Sequence, residues 1–130
     1  MVTWRDLVGY IRSNYKIFQE DDGIIGLVFV MGGGRSQMVL VTRHLLMGGA
    51  EEWVQISSPV AEVGQVNIDA VLREVGEMVC GGVVIEGKYL VIRDALPLAN
   101  MQLNEFERPV LLITATADAL EKKFIGADHM

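Results

Sequence analysis

Residues 67–80 of the chain, with the sequence NIDAVLREVGEMVC, are the stretch that decides the fold. The apolar residues in it recur every three or four positions, which is the period of an amphipathic helix. Asn67 precedes the first of them and is a good N-cap residue. Arg73 and Glu77 are four residues apart on the other face and can pair. The stretch therefore predicts a helix over residues 67–80, ended by Cys80 and the glycines after it.

The block before this helix is rich in strand-forming residues and is divided by glycines. Residues 24–31 are apolar at both odd and even positions, as expected of a central strand. Residues 37–47 and 51–58 are also β-rich, and the glycine runs 32–34 and 48–49 suit tight turns. Three strands joined by short turns predict an antiparallel meander.

Helical periodicity is also present at both ends of the chain. Residues 3–15 carry one apolar stripe behind a Thr cap, and residues 20–23 then interrupt it as a turn. Residues 103–124 step by threes and fours through a last helix, whose start Pro109 is expected to kink or fray. A short strand over residues 110–113 is the alternative for part of that segment.

A hairpin follows the middle helix. Residues 83–85 and 88–93 are strong β-formers on either side of Glu86-Gly87, a two-residue turn. The predicted order is therefore α-βββ-α-ββ-α. It corresponds to one α+β domain over residues 1–130, with an antiparallel sheet of about five strands packed against helices. Residues 126–130 form a short tail.

Charge and hydropathy exclude several classes of protein. The chain has 11 basic and 17 acidic residues, a net charge of −6, and no cluster of lysines and arginines. This disfavours nucleic acid and anionic membranes as partners, because both are bound by clustered basic side chains. No apolar run approaches the ~20 residues of a membrane span, and the N-terminus lacks the pattern of a signal peptide. The single cysteine suits a reducing compartment, so we expect a cytoplasmic protein.

The apolar content is higher than a small domain needs for its own core. With glycine counted and tyrosine left out, about 59% of the residues are apolar, against roughly 45–50% in soluble domains. Such a surplus is usually covered by another chain. The alternative is a sheet covered by helices on both faces.

Motifs for chemistry are weak in this sequence. Residues 82–88 match the P-loop spacing G-x-x-x-x-G-K, but Tyr89 stands where Ser or Thr is needed and strands flank the match. His44 and His129 are far apart, and with Cys80 they cannot form a zinc site. Cys80 ends an apolar stripe, which favours inert burial. We therefore expect no catalytic residue, no cofactor and no metal site.

Candidate contact residues come from the strands instead. Methionine is favoured on adaptable binding surfaces, and several of the seven methionines fall in or beside apolar stretches. Trp53, Met38 and Met47 each lie in a predicted strand near a glycine turn, where the cover of the sheet is expected to be thinnest. We expect them to contact an apolar segment of a partner polypeptide. Core packing is the alternative for each of them.

The order of elements, the acidic balance and the length together resemble the class I type III secretion chaperone fold and the related YbjN-like bacterial family. The resemblance covers residues 3–125, and the stretch 116–121, TADALE, resembles the closing helix of those proteins. It implies a homodimer, no cofactor, no ATP hydrolysis, and a partner polypeptide held in extended form over apolar grooves. It also implies that the helix of residues 67–80 builds the dimer interface, through some of its apolar residues: Ile68, Val71, Leu72, Val75 and Val79.

The function predicted from the sequence is protein binding without catalysis. We expect a chaperone-like or adaptor-like homodimer that binds an apolar segment of another polypeptide. Two alternatives stay open: a regulatory or structural protein of the same fold without a role in secretion, and a small-molecule-binding domain.

Overall fold

A six-stranded antiparallel sheet with helices on one face forms the framework of the protein in a computed structural model that describes residues 2–79 and 82–125. The strands lie side by side in the order β1-β2-β3-β4-β6-β5. The elements are α1 (Trp4–Asn14), β1 (Ile17–Asp21), β2 (Ile24–Val30), β3 (Ser36–Leu46), β4 (Glu51–Glu62), α2 (Ile68–Val75), β5 (Val83–Glu86), β6 (Tyr89–Pro97) and α3 (Glu107–Phe124).

The predicted α+β class with an antiparallel sheet is confirmed, and the sheet has six strands where about five were expected. The additional strand is β1, an edge strand that contains Glu20 and Asp21, which the sequence had placed in a turn. Four of its five residues are exposed, so it carries no apolar alternation that would identify it. Charged side chains are common on edge strands because they prevent pairing with other chains.

Strand β4 continues past its predicted end at residue 58 and includes Pro59. Proline has no amide hydrogen to give to a neighbouring strand. The pairing of β3 with β4 stops just before this point, and Gln37 and Ser58 fill the gap with their side chains. The Gln37 amide donates to the Pro59 carbonyl (2.7 Å) and to Ser58 Oγ (2.8 Å), while Ser58 Oγ donates to the Met38 carbonyl (2.6 Å). Side-chain hydrogen bonds thus allow the proline inside a central strand.

Helix α2 begins where the sequence predicted and ends earlier. Asn67 Oδ1 accepts a hydrogen bond from the Ala70 amide at 3.1 Å, which confirms the predicted N-cap. The helix ends at Val75, and Gly76 is its C-cap residue. Glycine is a poor helix former, so it ends the helix at this position. Cys80, which the sequence placed at the end of the helix, lies outside the described residues.

Helix α3 contains Pro109 in its first turn without a break. The amides of a first helical turn have no acceptor within the helix, so proline loses nothing there. A short 3-10 turn over Leu103–Phe106 precedes the helix. Residues 110–113 are helical, so the alternative of a short strand there is wrong. The tail 126–130, with Gly126 and His129, lies outside the described residues.

The hydrophobic core lies on one face of the sheet. The helices and the strands contribute to a single cluster of fully buried side chains, and all of its members in the central strands point to the same face. The alternative of a sheet covered by helices on both faces is therefore wrong for the described residues. None of the described helices is long and apolar enough to cross a membrane. The cluster includes Leu7, Ile11, Leu27, Val39, Val41, Val54, Ile56, Val71, Val75, Ile92, Phe106, Val110, Ile113 and Leu120.

An aromatic cluster links the end of α1 to the start of α3. The ring of Tyr15 lies 5.9 Å from the rings of both Phe29 and Phe106, in edge-to-face geometry. Burial of the phenol is the main cause that raises the pKa of Tyr15 to about 12. A raised pKa means that the fold favours the neutral phenol over the phenolate.

This pKa predicts a loss of stability at alkaline pH. The contribution of Tyr15 is fully present below its unfolded pKa of about 10 and is lost as the pH rises towards about 12. Urea unfolding of the wild type and of Tyr15→Phe should therefore give free energies that fall more steeply with pH for the wild type in this window. The same slope in both proteins would contradict the prediction.

Candidate functional site

The β3–β4 hairpin bounds a cleft of about 480 Å³ at one end of the sheet. Its other walls are the start of α1 and the loop that follows β6. We call this space the hairpin cleft. Its apolar lining is Val2, Leu45, Trp53, Pro97, Leu98 and Ala99, and its polar lining includes Thr3, Arg43, Glu51, Glu52 and Asn100.

Glu52 holds the walls of the hairpin cleft together. Its Oε1 accepts the Trp4 amide hydrogen at 2.7 Å, and its Oε2 accepts from Arg43 Nε at 2.6 Å. Its main-chain carbonyl accepts from the Leu98 amide at 2.9 Å. One residue of β4 is thereby bonded to α1, to β3 and to the loop after β6. The cleft is therefore preformed, as ligand sites usually are.

The first turn of α1 is fixed by its own capping box. Thr3 Oγ1 accepts from the Asp6 amide (3.2 Å), and the Asp6 carboxylate accepts from the Thr3 amide (3.0 Å). The amide hydrogen bond from Thr3 is the main cause that lowers the pKa of Asp6. The capped turn and Glu52 together hold the wall of the cleft formed by α1.

Large apolar side chains are exposed at the end of the β3–β4 hairpin, where Leu45 lines the hairpin cleft and Leu46 lies on the other side of the sheet. Leu45 is 52% exposed, Leu46 is 45% exposed and Met47 is 76% exposed. Met47 has a positive φ of 54°, which is rare for a residue with a side chain, and two glycines with positive φ follow it. The turn therefore presents the Met47 side chain to solvent. The sequence analysis did not identify Leu45 and Leu46, although their position beside Met47 and the two glycines was a signal.

The structure separates the three predicted contact residues. Trp53 is half-buried and borders the hairpin cleft, its Nε1 donates to Glu51 Oε1 at 2.9 Å, and the register of β4 puts it on the same side of the sheet as Pro59. Met47 lies in the turn between β3 and β4. Met38 is half-buried elsewhere, on the sheet face without helices, which we call the open face. Trp53 and Met38 thus lie on the same side of the sheet but towards different ends of it, and Met47 lies in the hairpin turn.

The open face carries a row of apolar residues that runs across five strands. Val28 pairs with Met38, and Pro59 and Val84 both pair with Val91. Directly paired residues point to the same side of a sheet. The β3–β4 register places Met38 beside Pro59, which joins the two halves of the row. None of these five residues belongs to the core cluster of the helical face.

Phe18 and Leu40 lie beside this row on the open face. Leu40 pairs with Gly26, and the ring of Phe18 lies directly on that glycine. A Cβ atom at position 26 would come within 2.5 Å of the ring, so the glycine makes room for the phenylalanine. Phe18 is still 49% exposed, and it extends the apolar surface to the edge strand β1.

Helix α2 offers less surface for a dimer than the sequence predicted. Val71 and Val75 are 0% and 4% exposed because the domain buries them in its own core. These two side chains are not accessible to a second chain, which corrects the prediction for them. Ile68 is half-buried, Leu72 is 49% exposed, and Val79 is exposed beyond the end of the helix.

The residues with a formal motif for chemistry lie apart from the hairpin cleft, and one of them, Val84, belongs to the open face. Residues 83–88 belong to the predicted β5–β6 hairpin, but its turn is Gly87-Lys88, one residue later than the predicted Glu86-Gly87, because Glu86 ends β5 and pairs with Tyr89. Lys88 Nζ lies 3.2 Å from Glu62 Oε1, and this hydrogen bond is the main cause that raises the pKa of Lys88. Among the described residues, no group of three or more His, Cys, Asp and Glu side chains could hold a metal ion.

No protein-family model matches the chain, and no curated protein matches its sequence. Its function is therefore proposed from the hairpin cleft and the open face.

Proposed function

We propose that this chain is a non-catalytic protein-binding domain, chaperone-like or adaptor-like, that acts in the cytoplasm as a homodimer. Its hairpin cleft holds an apolar segment of a partner polypeptide. The observation that carries the proposal is Leu45, a half-exposed leucine in the lining of a preformed cleft, at the end of a hairpin that also exposes Leu46 and Met47.

The size and lining of the hairpin cleft suit apolar side chains. Its volume of about 480 Å³ lies within the roughly 300–1,000 Å³ of ligand pockets. A single exposed leucine is ordinary on a protein surface, whereas an exposed leucine that lines a cleft together with other apolar residues, as Leu45 does, marks an interaction site. Trp and Met are also favoured in protein interfaces, and Trp53 and Met47 lie in and beside the cleft.

The charges around the cleft favour a neutral or basic segment. Arg43 and Glu52 form an ion pair, with Nη2 and Oε2 2.5 Å apart, so they neutralise each other. Glu51 adds a carboxylate to the lining, and the whole chain carries a net charge of −6. This balance steers basic partners towards the protein, mainly by raising the rate of association.

Substitution of Leu45 should weaken the binding of apolar peptides. The probe is a short fluorescent peptide that alternates leucine with lysine, and fluorescence anisotropy measures its dissociation constant. Leu45→Asp removes an apolar contact worth about 1.5–3 kcal/mol, so we expect the constant to rise about 10- to 100-fold. Leu111→Asp, at an equally exposed leucine on α3, is the matched control and should leave binding unchanged.

Three outcomes would count against the proposal. Failure of any such peptide to bind, or equal binding by wild type and Leu45→Asp, would exclude the hairpin cleft as a peptide site. Stabilisation by a small molecule in a thermal-shift screen would favour the small-molecule alternative, since a ligand at 100 times its dissociation constant adds about 2.7 kcal/mol.

A further inference from the structure

The open face of the sheet is separate from the hairpin cleft and has its own distribution of charge. On β2 and β3 its residues are apolar or uncharged between Val30 and Ile24, with Met38 and Leu40 at the centre. The charged side chains lie towards the two sides: Asp21 on β1 at one side, and Arg93 on β6, paired with Glu86 on β5, and Glu62 on β4 at the other. An apolar centre with charges at its sides is the pattern of a protein interface.

We propose that a second copy of this chain packs on the open face, sheet against sheet, about a two-fold axis that runs parallel to β3. This inference deepens the proposed function and rests on it, because it names the surface that forms the homodimer. The central contacts are made by Met38 and Leu40 of each copy, and the hairpin cleft of each copy stays available for a partner segment.

The size of the open face is adequate for a stable dimer. Six strands spaced by about 4.8 Å are about 29 Å wide, and seven residues at about 3.3 Å each are about 23 Å long. The face therefore spans on the order of 700 Å² in projection, against the roughly 800 Å² that each partner buries in a standard interface. Its accessible part is mainly on β2 and β3, because Ser57, Pro59 and Val91 are buried within the chain itself. Sheets commonly pack face to face in this way, at a separation of about 10 Å.

The positions of the charges select a second copy of the same chain as the occupant. Asp21 lies two strands from β3 on one side, and Arg93 lies two strands from β3 on the other side. A two-fold axis along β3 places the β1 side of one copy opposite the β6 side of the other. Asp21 of each copy therefore faces the side of the other copy that carries Arg93. Arg93 already lies 3.2 Å from Glu86 Oε1, and its guanidinium has further N–H groups for a second carboxylate.

The apolar composition of the centre points to the same occupant. Interfaces between identical chains are more apolar than transient interfaces, and the two-fold dimer is the commonest symmetric assembly. A basic client steered by the net charge of −6 would find no carboxylate in the middle of this face. The open face of a second copy has an uncharged, apolar centre as well, so the two centres can pack against each other.

The test compares two substitutions of the same type on two surfaces. Leu40→Glu places a charge at the centre of the open face, whereas Leu72→Glu places it on the exposed side of α2. Light scattering after size exclusion, at tens of micromolar protein, should give twice the chain mass of 14.3 kDa for the wild type and for Leu72→Glu. We expect Leu40→Glu to be monomeric, with its dimer dissociation constant raised at least about 100-fold.

A charge exchange provides an independent test if Leu40→Glu does not fold, as circular dichroism would show. Arg93→Glu should weaken the dimer about tenfold, and the combination with Asp21→Arg should restore it. The inference would be overturned if the wild type were monomeric, or if Leu72→Glu were monomeric while Leu40→Glu remained a dimer. It would also be overturned if Asp21→Arg did not restore the dimer of Arg93→Glu. A monomeric wild type that still bound the leucine–lysine peptide would leave the hairpin cleft as the peptide site.

Discussion

Replacement of Phe106 by alanine should lower the free energy of unfolding by about 3–5 kcal/mol. Phe106 is 0% exposed and directly precedes α3. Its ring packs against Tyr15 at 5.9 Å and belongs to the same core cluster as Ile11 of α1. Removal of the ring leaves a cavity at the point where two helices meet, and neither helix can move to fill it without losing its own contacts with the sheet.

Urea unfolding followed by circular dichroism measures this effect. Phe124→Ala is the matched control, because Phe124 is only half-buried near the end of α3. The control should lose less stability, since part of its ring is already in water in the folded protein. Equal losses for the two variants would show that the core does not depend on Phe106 in this way.

The second large effect concerns an ion pair that fastens the β2–β3 connection to α3. Arg35 Nε and Nη2 donate to the two carboxylate oxygens of Asp118 at 3.1 and 2.6 Å. Both side chains are largely buried, with exposures of 16% and 12%. Arg35→Met keeps most of the side-chain volume and removes the bidentate partner of Asp118. Wholly buried pairs lose about 3–5 kcal/mol when one member is removed, so we expect a loss of about 2 kcal/mol for this partly exposed pair.

Arg73→Met is the control for this prediction. Arg73 pairs with Asp69 four residues earlier on α2, and both side chains are more than 70% exposed. Exposed pairs of this kind contribute about 0.3–0.5 kcal/mol. If the two variants unfolded at the same urea concentration, the Arg35–Asp118 pair would not stabilise the fold.

Local signals in the sequence were sufficient to predict most of the helices and strands. The Asn67 cap and the periodicity of residues 103–124 each depend on neighbouring residues alone, and each corresponds to an observed element. The last hairpin was also predicted, with its turn placed one residue too early, because Glu86 pairs with Tyr89 inside the hairpin. The strand β1 was missed because an exposed edge strand has no apolar pattern. The continuation of β4 through Pro59 was missed because it depends on Gln37, a residue of another strand.

Burial of individual side chains could not be derived in the same way. The stripe on α2 predicts that one face of the helix is covered, but it does not specify by which chain. In the fold, the protein's own core covers Val71 and Val75 and leaves Leu72 in solvent. The same limit applies to the contact residues: Trp53, Met38 and Met47 were chosen for their proximity to turns, and the fold places Trp53 and Met38 towards different ends of one side of the sheet and Met47 in a turn.

The sequence by itself determined the α+β class, the antiparallel strands and the two periodic helices that follow residue 66, because these depend on contacts between near neighbours. Only the tertiary structure decided which face of the sheet is open. Residues 24–30 are apolar at odd and even positions alike, so their pattern is compatible with cover on either side. The choice is made by the helices, which bury Ile25 and Leu27 and leave Ile24 and Val28 outside the core cluster.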